Sequence, residues 1–181
     1  PVAVEKFIPQ KKVKREDYFL AGGRLARAKR IDLAIKACVK LGLPLKVFGR
    51  PFGDYGEELK KMAQGGKVEF LGEVNDTQLV SLYQHCRAFI FPAQEEDFGI
   101  VPVEAMAAGR PVIALASGGV LETIIPGKTG EFFKKPTVSS LARVLASFND
   151  TLYNSEDCIK QARKFSEERF KREIKKIIAG S

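Results

Sequence analysis

Six short apolar runs, each followed by a segment with helical spacing, constrain the fold of this chain more than any other feature. The runs are Tyr18 to Gly22, Leu45 to Gly49, Val68 to Gly72, Ala88 to Phe91, Pro111 to Leu115 and Gly130 to Phe133. After the first, Ile31, Ala34, Ile35, Cys38 and Leu41 recur at the period of an amphipathic helix that Gly42 ends. Glu57 to Gln64 is a weaker helix, and Asp76 is the expected cap of a helix whose apolar face is Leu79, Leu82, Tyr83 and Cys86. Further on, Gly118-Gly119 opens a short helix through Leu121 and Ile124. Leu141, Val144, Leu145 and Phe148 trace another, and Ser155 to Ile178 one or two more. Buried strands alternating with helices imply βαβ units, right-handed crossovers and a parallel sheet. The expected fold is therefore α/β, a single doubly wound Rossmann-like domain with a mostly parallel six-stranded sheet.

The expected organisation is a lead-in over residues 1–17, the Rossmann-like domain over 18–150, and a C-terminal helical segment, 151–181, packing on it. With 181 residues and 45% hydrophobic content, a full core is within reach. The chain opens on Pro1, which fits either methionine removal or a piece cut from a longer protein. No apolar run approaches the roughly 18–20 residues of a spanning helix, and the N-terminus lacks a signal peptide, so a cytosolic or membrane-surface location is expected. Cys38, Cys86 and Cys158 lie far apart among apolar neighbours and read as reduced core thiols. The formal charge of +8 is spread along the chain without interleaved aromatics, which speaks against nucleic acid. A solvated basic surface, or attraction to anionic ligands and lipid headgroups, accounts for it.

Two carboxylates stand out. Glu96 lies on the loop after the fourth run and Glu104 lies inside the helix that follows, so both can face the crevice where open α/β sheets bind ligands. A metal site on Glu95-Glu96-Asp97, acid/base work and recognition of vicinal hydroxyls are all chemically open to them. For the metal reading, helper ligands elsewhere are missing. Glu104 could also simply complement its helix dipole.

Gly22-Gly23 and the basic residues Arg24, Arg27, Lys29 and Arg30 join the first run to its helix, an arrangement that suits a diphosphate but equally a tight turn with solvated charges. Neither G-x-G-x-x-G nor a Walker spacing is present. Phe98-Gly99-Ile100 implies a second anion site at a helix start, with Pro102 tolerated in the first turn. If the first and fourth strands are neighbours, the two loops flank one crevice. His85, the only histidine, reads as structural rather than as a general base. Ser117-Gly118-Gly119 is no nucleophile elbow; it could bind an anion or a sugar hydroxyl, or be a turn.

The run from Glu96 to Val112 resembles the E-x7-E segment of retaining glycosyltransferases of family 4, which are GT-B fold enzymes. Arg24-x4-Lys29, Phe70-Leu71-Gly72-Glu73-Val74, Gly118-Gly119-x-x-Glu122-Thr123 and Gly127-x-x-Gly130 also sit where that family has them. The resemblance covers about Tyr18 to Lys171 and makes the chain similar to the C-terminal, donor-binding half of such an enzyme.

It implies a nucleoside-diphosphate sugar, GDP- or UDP-linked, as substrate, with no further cofactor and no metal. By matched position, Arg24 and Lys29, with Gly23, would clamp the diphosphate, and Glu104 would take the ribose hydroxyls. Glu96, the one catalytic candidate, would meet the donor sugar and its phosphate together with Phe98, Gly99 and Ile100; Val74 would edge the nucleobase. The resemblance further implies transfer of a hexose such as mannose or glucose to a glycan or lipid-linked acceptor in cell-surface polysaccharide synthesis, near the inner face of the membrane. Pro1 to Pro9 resembles the segment just after the interdomain crossing, so the acceptor-binding half would lie outside this chain, and the chain alone would be inactive. A non-catalytic nucleotide-binding module and another nucleotide-dependent Rossmann-like enzyme, such as an oxidoreductase, are the alternatives; the latter would want an acidic residue after Phe48, where Gly49-Arg50 stand.

Overall fold

The computed structural model describes residues 1–11, 13–94 and 96–179. Six strands, β1 (Phe19–Gly22), β2 (Leu45–Phe48), β3 (Val68–Gly72), β4 (Phe89–Phe91), β5 (Val112–Leu115) and β6 (Gly130–Phe133), form one sheet in the order β3-β2-β1-β4-β5-β6. Every neighbouring pair is parallel. The chain therefore winds outward from β1 to β3, returns to the centre, and winds out the other way from β4 to β6. The switch lies between β1 and β4, as the doubly wound expectation required.

The strands are apolar throughout because both faces are covered. Successive residues alternate between two cores. Phe19, Ala21, Ile90 and Ile113 pack with α1 (Ile31–Leu41), α2 (Tyr55–Met62) and α6 (Val138–Ser147), whereas Leu20, Phe89, Phe91 and Val112 pack with α3 (Asp76–His85), α4 (Ile100–Ala107) and α7 (Ser155–Arg163). Burying each large side chain contributes about 1.5–3 kcal/mol. The three cysteines are free and buried, and burial pushes each thiol up to about 12, which suits inert core residues.

Two details differ from expectation. The cap of α3 is Asn75, not Asp76: the Asn75 side chain accepts from the Gln78 N–H while the Gln78 side chain accepts from the Asn75 N–H. A reciprocal box satisfies two orphan donors, and a lone aspartate one. The lead-in also reaches the core. Val2, Val4 and Phe7 are buried, the N–H of Val2 donates to Phe165 O, and Phe7 meets Tyr83 edge-to-face at 5.7 Å. Three apolar side chains among prolines and charges make no periodic signal, which is why they were invisible to pattern.

Beyond α7, α8 (Glu167–Ala179) has no buried residue, and Phe170, Ile174, Ile177 and Ile178 are exposed along it. Among the described residues no helix is long and apolar enough to cross a membrane.

Candidate functional site

The site is built where β1 and β4 part. Four basic side chains follow β1, and the structure sends them to different places. Arg27 forms a bidentate pair with Glu58 and lies over the Tyr55 ring; Arg30, left-handed at φ 51°, pairs with Asp32. Both are drawn away by local carboxylates. Arg24 stays exposed, with no ion-pair partner among the described residues, on the wall of a cleft. Lys29, ending a single 3-10 turn, reaches across the switch to Glu96 and forms a hydrogen-bonded ion pair with it. Only two of the four cations thus serve the crevice.

Lys29 and Glu96 are partly shielded, at 24% and 29% side-chain exposure, so the pair is neither dry nor fully solvated. An anionic ligand arriving here would offer Lys29 a new partner and free the carboxylate for a hydroxyl.

The Glu96 loop is held by backbone. The N–H of Gly119 donates to Glu96 O at 2.8 Å, and a Cβ on Gly118 or Gly119 would stand 2.4 Å from Glu96 O or 2.3 Å from Asp97 O. The glycine pair, read from sequence as a turn or an anion cradle, is the bed on which the Glu96-Asp97 backbone rests. Phe98 anchors the far end of the loop by an edge-on contact with Phe165 at 5.8 Å. Gly99, at φ 76°, then caps α4 in the left-handed region without a side-chain bond. The N–H groups of Phe98, Gly99 and Ile100 find no acceptor among the described residues, so the helix start carries its partial positive charge toward the crevice. Ile100 itself is half exposed beside them.

Glu104 sits one turn into α4 in different surroundings. It is half-buried, and its Oε2 accepts a 3.1 Å hydrogen bond from the hydroxyl of Tyr83, which is wholly buried in α3. Desolvation raises the Glu104 carboxyl above its usual range; the Tyr83 hydrogen bond and Lys6 pull it back only in part. The Tyr83 phenol is raised as well, by burial first and then by the carboxylate beside it, so it stays a donor. Sequence spacing placed Tyr83 only on an apolar face. A buried tyrosine needs a partner for its hydroxyl, and that requirement was the available signal.

The cleft beside the switch, about 800 Å³, runs over the C-terminal ends of β1, β2 and β3. Gly23, Arg24, Phe48, Val74 and Leu79 line it, together with Arg50, Phe52 and Glu73. Val74 and Gly23 therefore line one cleft, joined by Arg50 and Phe52 from the loop after β2.

His85 lies at the C-terminal end of α3 and bonds the Ser81 carbonyl through Nδ1 at 2.8 Å, away from this crevice. Glu95, part of the acidic triplet weighed as a metal site, lies outside the described residues; among the described residues no group of three metal-ligating side chains assembles.

The chain and its fold have relatives. Residues 4–165 match the family model described as Glycosyl transferases group 1. The alpha-1,3/1,6-mannosyltransferase ALG2 of Mus musculus is 32% identical over 168 residues, covering 82% of this chain and 40% of that protein; the Homo sapiens protein is 33% identical with 82% and 39% covered. The chain thus spans about two fifths of the length of these relatives.

Among solved structures, Anabaena Alr3699/HepE in complex with UDP and glucose superposes with a TM-score of 0.78 at 22% identity, over 92% of this chain and 49% of that one. The C-terminal domain of a glycosyl transferase group 1 protein (LpcC) from Francisella tularensis gives 0.75 at 19% identity, over 92% of this chain and 100% of that one. At such identity these two speak for the fold alone, the Rossmann-like half of a GT-B architecture. The family match, which runs over most of the sequence, goes further: this chain belongs to the glycosyl transferases group 1 family.

Proposed function

We propose that this chain is the nucleotide-sugar-binding half of a retaining glycosyltransferase of family 4. It would hold a nucleoside-diphosphate hexose, such as a mannose or glucose donor, for transfer to a glycan or lipid-linked acceptor in cell-surface polysaccharide synthesis. The observation that carries this reading is the meeting of Lys29 and Glu96 across the β1/β4 switch, beside amides at the start of α4 that find no acceptor among the described residues. In the proposed complex Arg24, Lys29 and Gly23 take the diphosphate, Glu104 takes the ribose hydroxyls, and Val74 edges the base. Glu96, with Phe98, Gly99 and Ile100, takes the sugar and its phosphate, and Glu96 is the catalytic candidate. The acceptor belongs to a portion of the relatives' length that this chain does not match, so this chain alone transfers nothing. A net charge of +8 supports a place at the anionic inner face of a cell membrane.

A thermal-shift panel tests the reading. A nucleoside-diphosphate sugar at 100 times its dissociation constant stabilises this chain by about 2.7 kcal/mol. Absence of a shift with guanosine, uridine and adenosine diphosphate sugars alike would overturn the assignment, and sugar transfer by the chain alone would overturn the division of labour.

A further inference from the structure

We infer that Glu73 reads the base of the nucleotide and selects guanine, so that the donor is a guanosine diphosphate sugar. This assignment rests on the proposal that the cleft over β1, β2 and β3 receives the nucleotide, and it adds which one.

The cleft combines three features with different demands. Its floor is apolar: Phe48, Val74 and Leu79 line it, and Phe48 is buried. At its rim Phe52 stands 74% exposed, an aromatic face with no ring partner among the described residues. An exposed phenylalanine beside an apolar floor is a stacking platform, and stacking accepts any base.

The charged residues are selective. Glu73 lies on the wall directly after β3, exposed and without an ion pair or hydrogen bond among the described residues. Arg50 faces the same space from the loop after β2, also without an ion-pair partner among them. The third charge, Arg24, stands next to Gly23 on the side of the proposed diphosphate clamp.

A carboxylate only accepts hydrogen bonds, and it binds best to two adjacent donors. Guanine alone among the common bases offers that pair, N1–H beside the N2 amino group. Uracil shows a single N–H between two carbonyl oxygens, and adenine and cytosine each show an amino group beside a ring nitrogen lone pair. Against all three the second carboxylate oxygen meets a lone pair. A guanidinium completes the match, since O6 and N7 of guanine accept its fork. The other lining residues of the cleft are glycines, a proline and hydrocarbon, so no other side chain there carries a hydrogen-bonding group that could distinguish one base from another.

Calorimetric titration of this chain with guanosine, inosine, uridine and adenosine diphosphates tests the inference. Inosine keeps N1–H and lacks the N2 amino group, so it isolates the second hydrogen bond. Guanosine diphosphate should bind about tenfold to hundredfold tighter than the other three, the range for loss of one charged hydrogen bond. Glu73→Ala should bring guanosine diphosphate down to, or below, the parent's inosine level and leave uridine diphosphate unchanged; because Glu73 is exposed, the variant should melt with the parent. Equal or tighter binding of uridine diphosphate, or a Glu73→Ala loss shared by all bases, would overturn the guanine assignment while the nucleotide proposal stands. Failure of all four to bind would overturn the nucleotide proposal and this one with it.

Discussion

Glu96 and Glu104 are eight residues apart, one on the loop after β4 and one inside α4, yet their surroundings oppose each other. Glu96 sits on a loop bedded on glycine backbone, its charge answered by Lys29. Glu104 sits on a helix, desolvated, hydrogen-bonded to a neutral phenol, with the Lys6 charge a smaller favourable influence. A charged partner can be exchanged for a ligand's charge, and a buried carboxylate with one hydrogen bond is left with lone pairs to fill. The difference supports the proposed reading, in which Glu96 meets the variable, charged end of a ligand and Glu104 a fixed polar group such as paired hydroxyls.

The contrast can be broken from the Glu96 side most severely through its bed. Gly119→Ala puts a Cβ 2.3 Å from Asp97 O and 2.7 Å from Phe98 Cα, so the loop must move. A cost of roughly 2–3 kcal/mol follows, or about 4–12 °C in melting temperature for a chain of this size, with loss of diphosphate binding. Scanning calorimetry showing an unchanged melt would mean that the glycine pair does not hold the loop.

On the Glu104 side the effect is smaller and depends on pH. Its folded carboxyl is raised, so the stability associated with it is fully present below the unfolded value and is lost as pH rises through the folded one. Glu104→Gln should therefore gain melting temperature relative to the parent as pH rises above the ordinary carboxylate range. Parallel profiles would deny that Glu104 is held at a cost in stability.

Least is expected from the ion pair itself. A partly exposed pair contributes about 0–1 kcal/mol, so Lys29→Ala should shift the melt of the free protein by no more than about 4 °C. A larger loss would make the Lys29–Glu96 pair a structural brace rather than an exchangeable one.

These two sides were not equally legible in the sequence. All six strands could be read because the signals are local: short apolar runs, helical spacing and punctuating glycines; that β1 and β4 are neighbours stood only as a condition until the sheet order showed it. Glu96 and Glu104 could be placed on a loop and a helix for the same reason. What each carboxylate touches could not be read, because Lys29 is 67 residues from Glu96 and Tyr83 is 21 residues from Glu104. The diversion of Arg27 to Glu58 was equally hidden, and so was the meeting of the Gly118-Gly119 backbone with that of Glu96 and Asp97. Periodicity tells which face is buried and leaves open who meets whom across the sheet. The lead-in shows the limit most plainly: Val2, Val4 and Phe7 are core residues without any period.

The division between the two carboxylates is tested most directly by calorimetric titration of guanosine diphosphate and guanosine into Glu104→Gln and Lys29→Ala. Glu104→Gln should weaken diphosphate and nucleoside by the same factor, about tenfold to hundredfold, because both carry the ribose. Lys29→Ala should weaken the diphosphate by a similar factor and leave the nucleoside untouched. A Glu104→Gln loss confined to the diphosphate, or a Lys29→Ala loss shared with the nucleoside, would contradict the division.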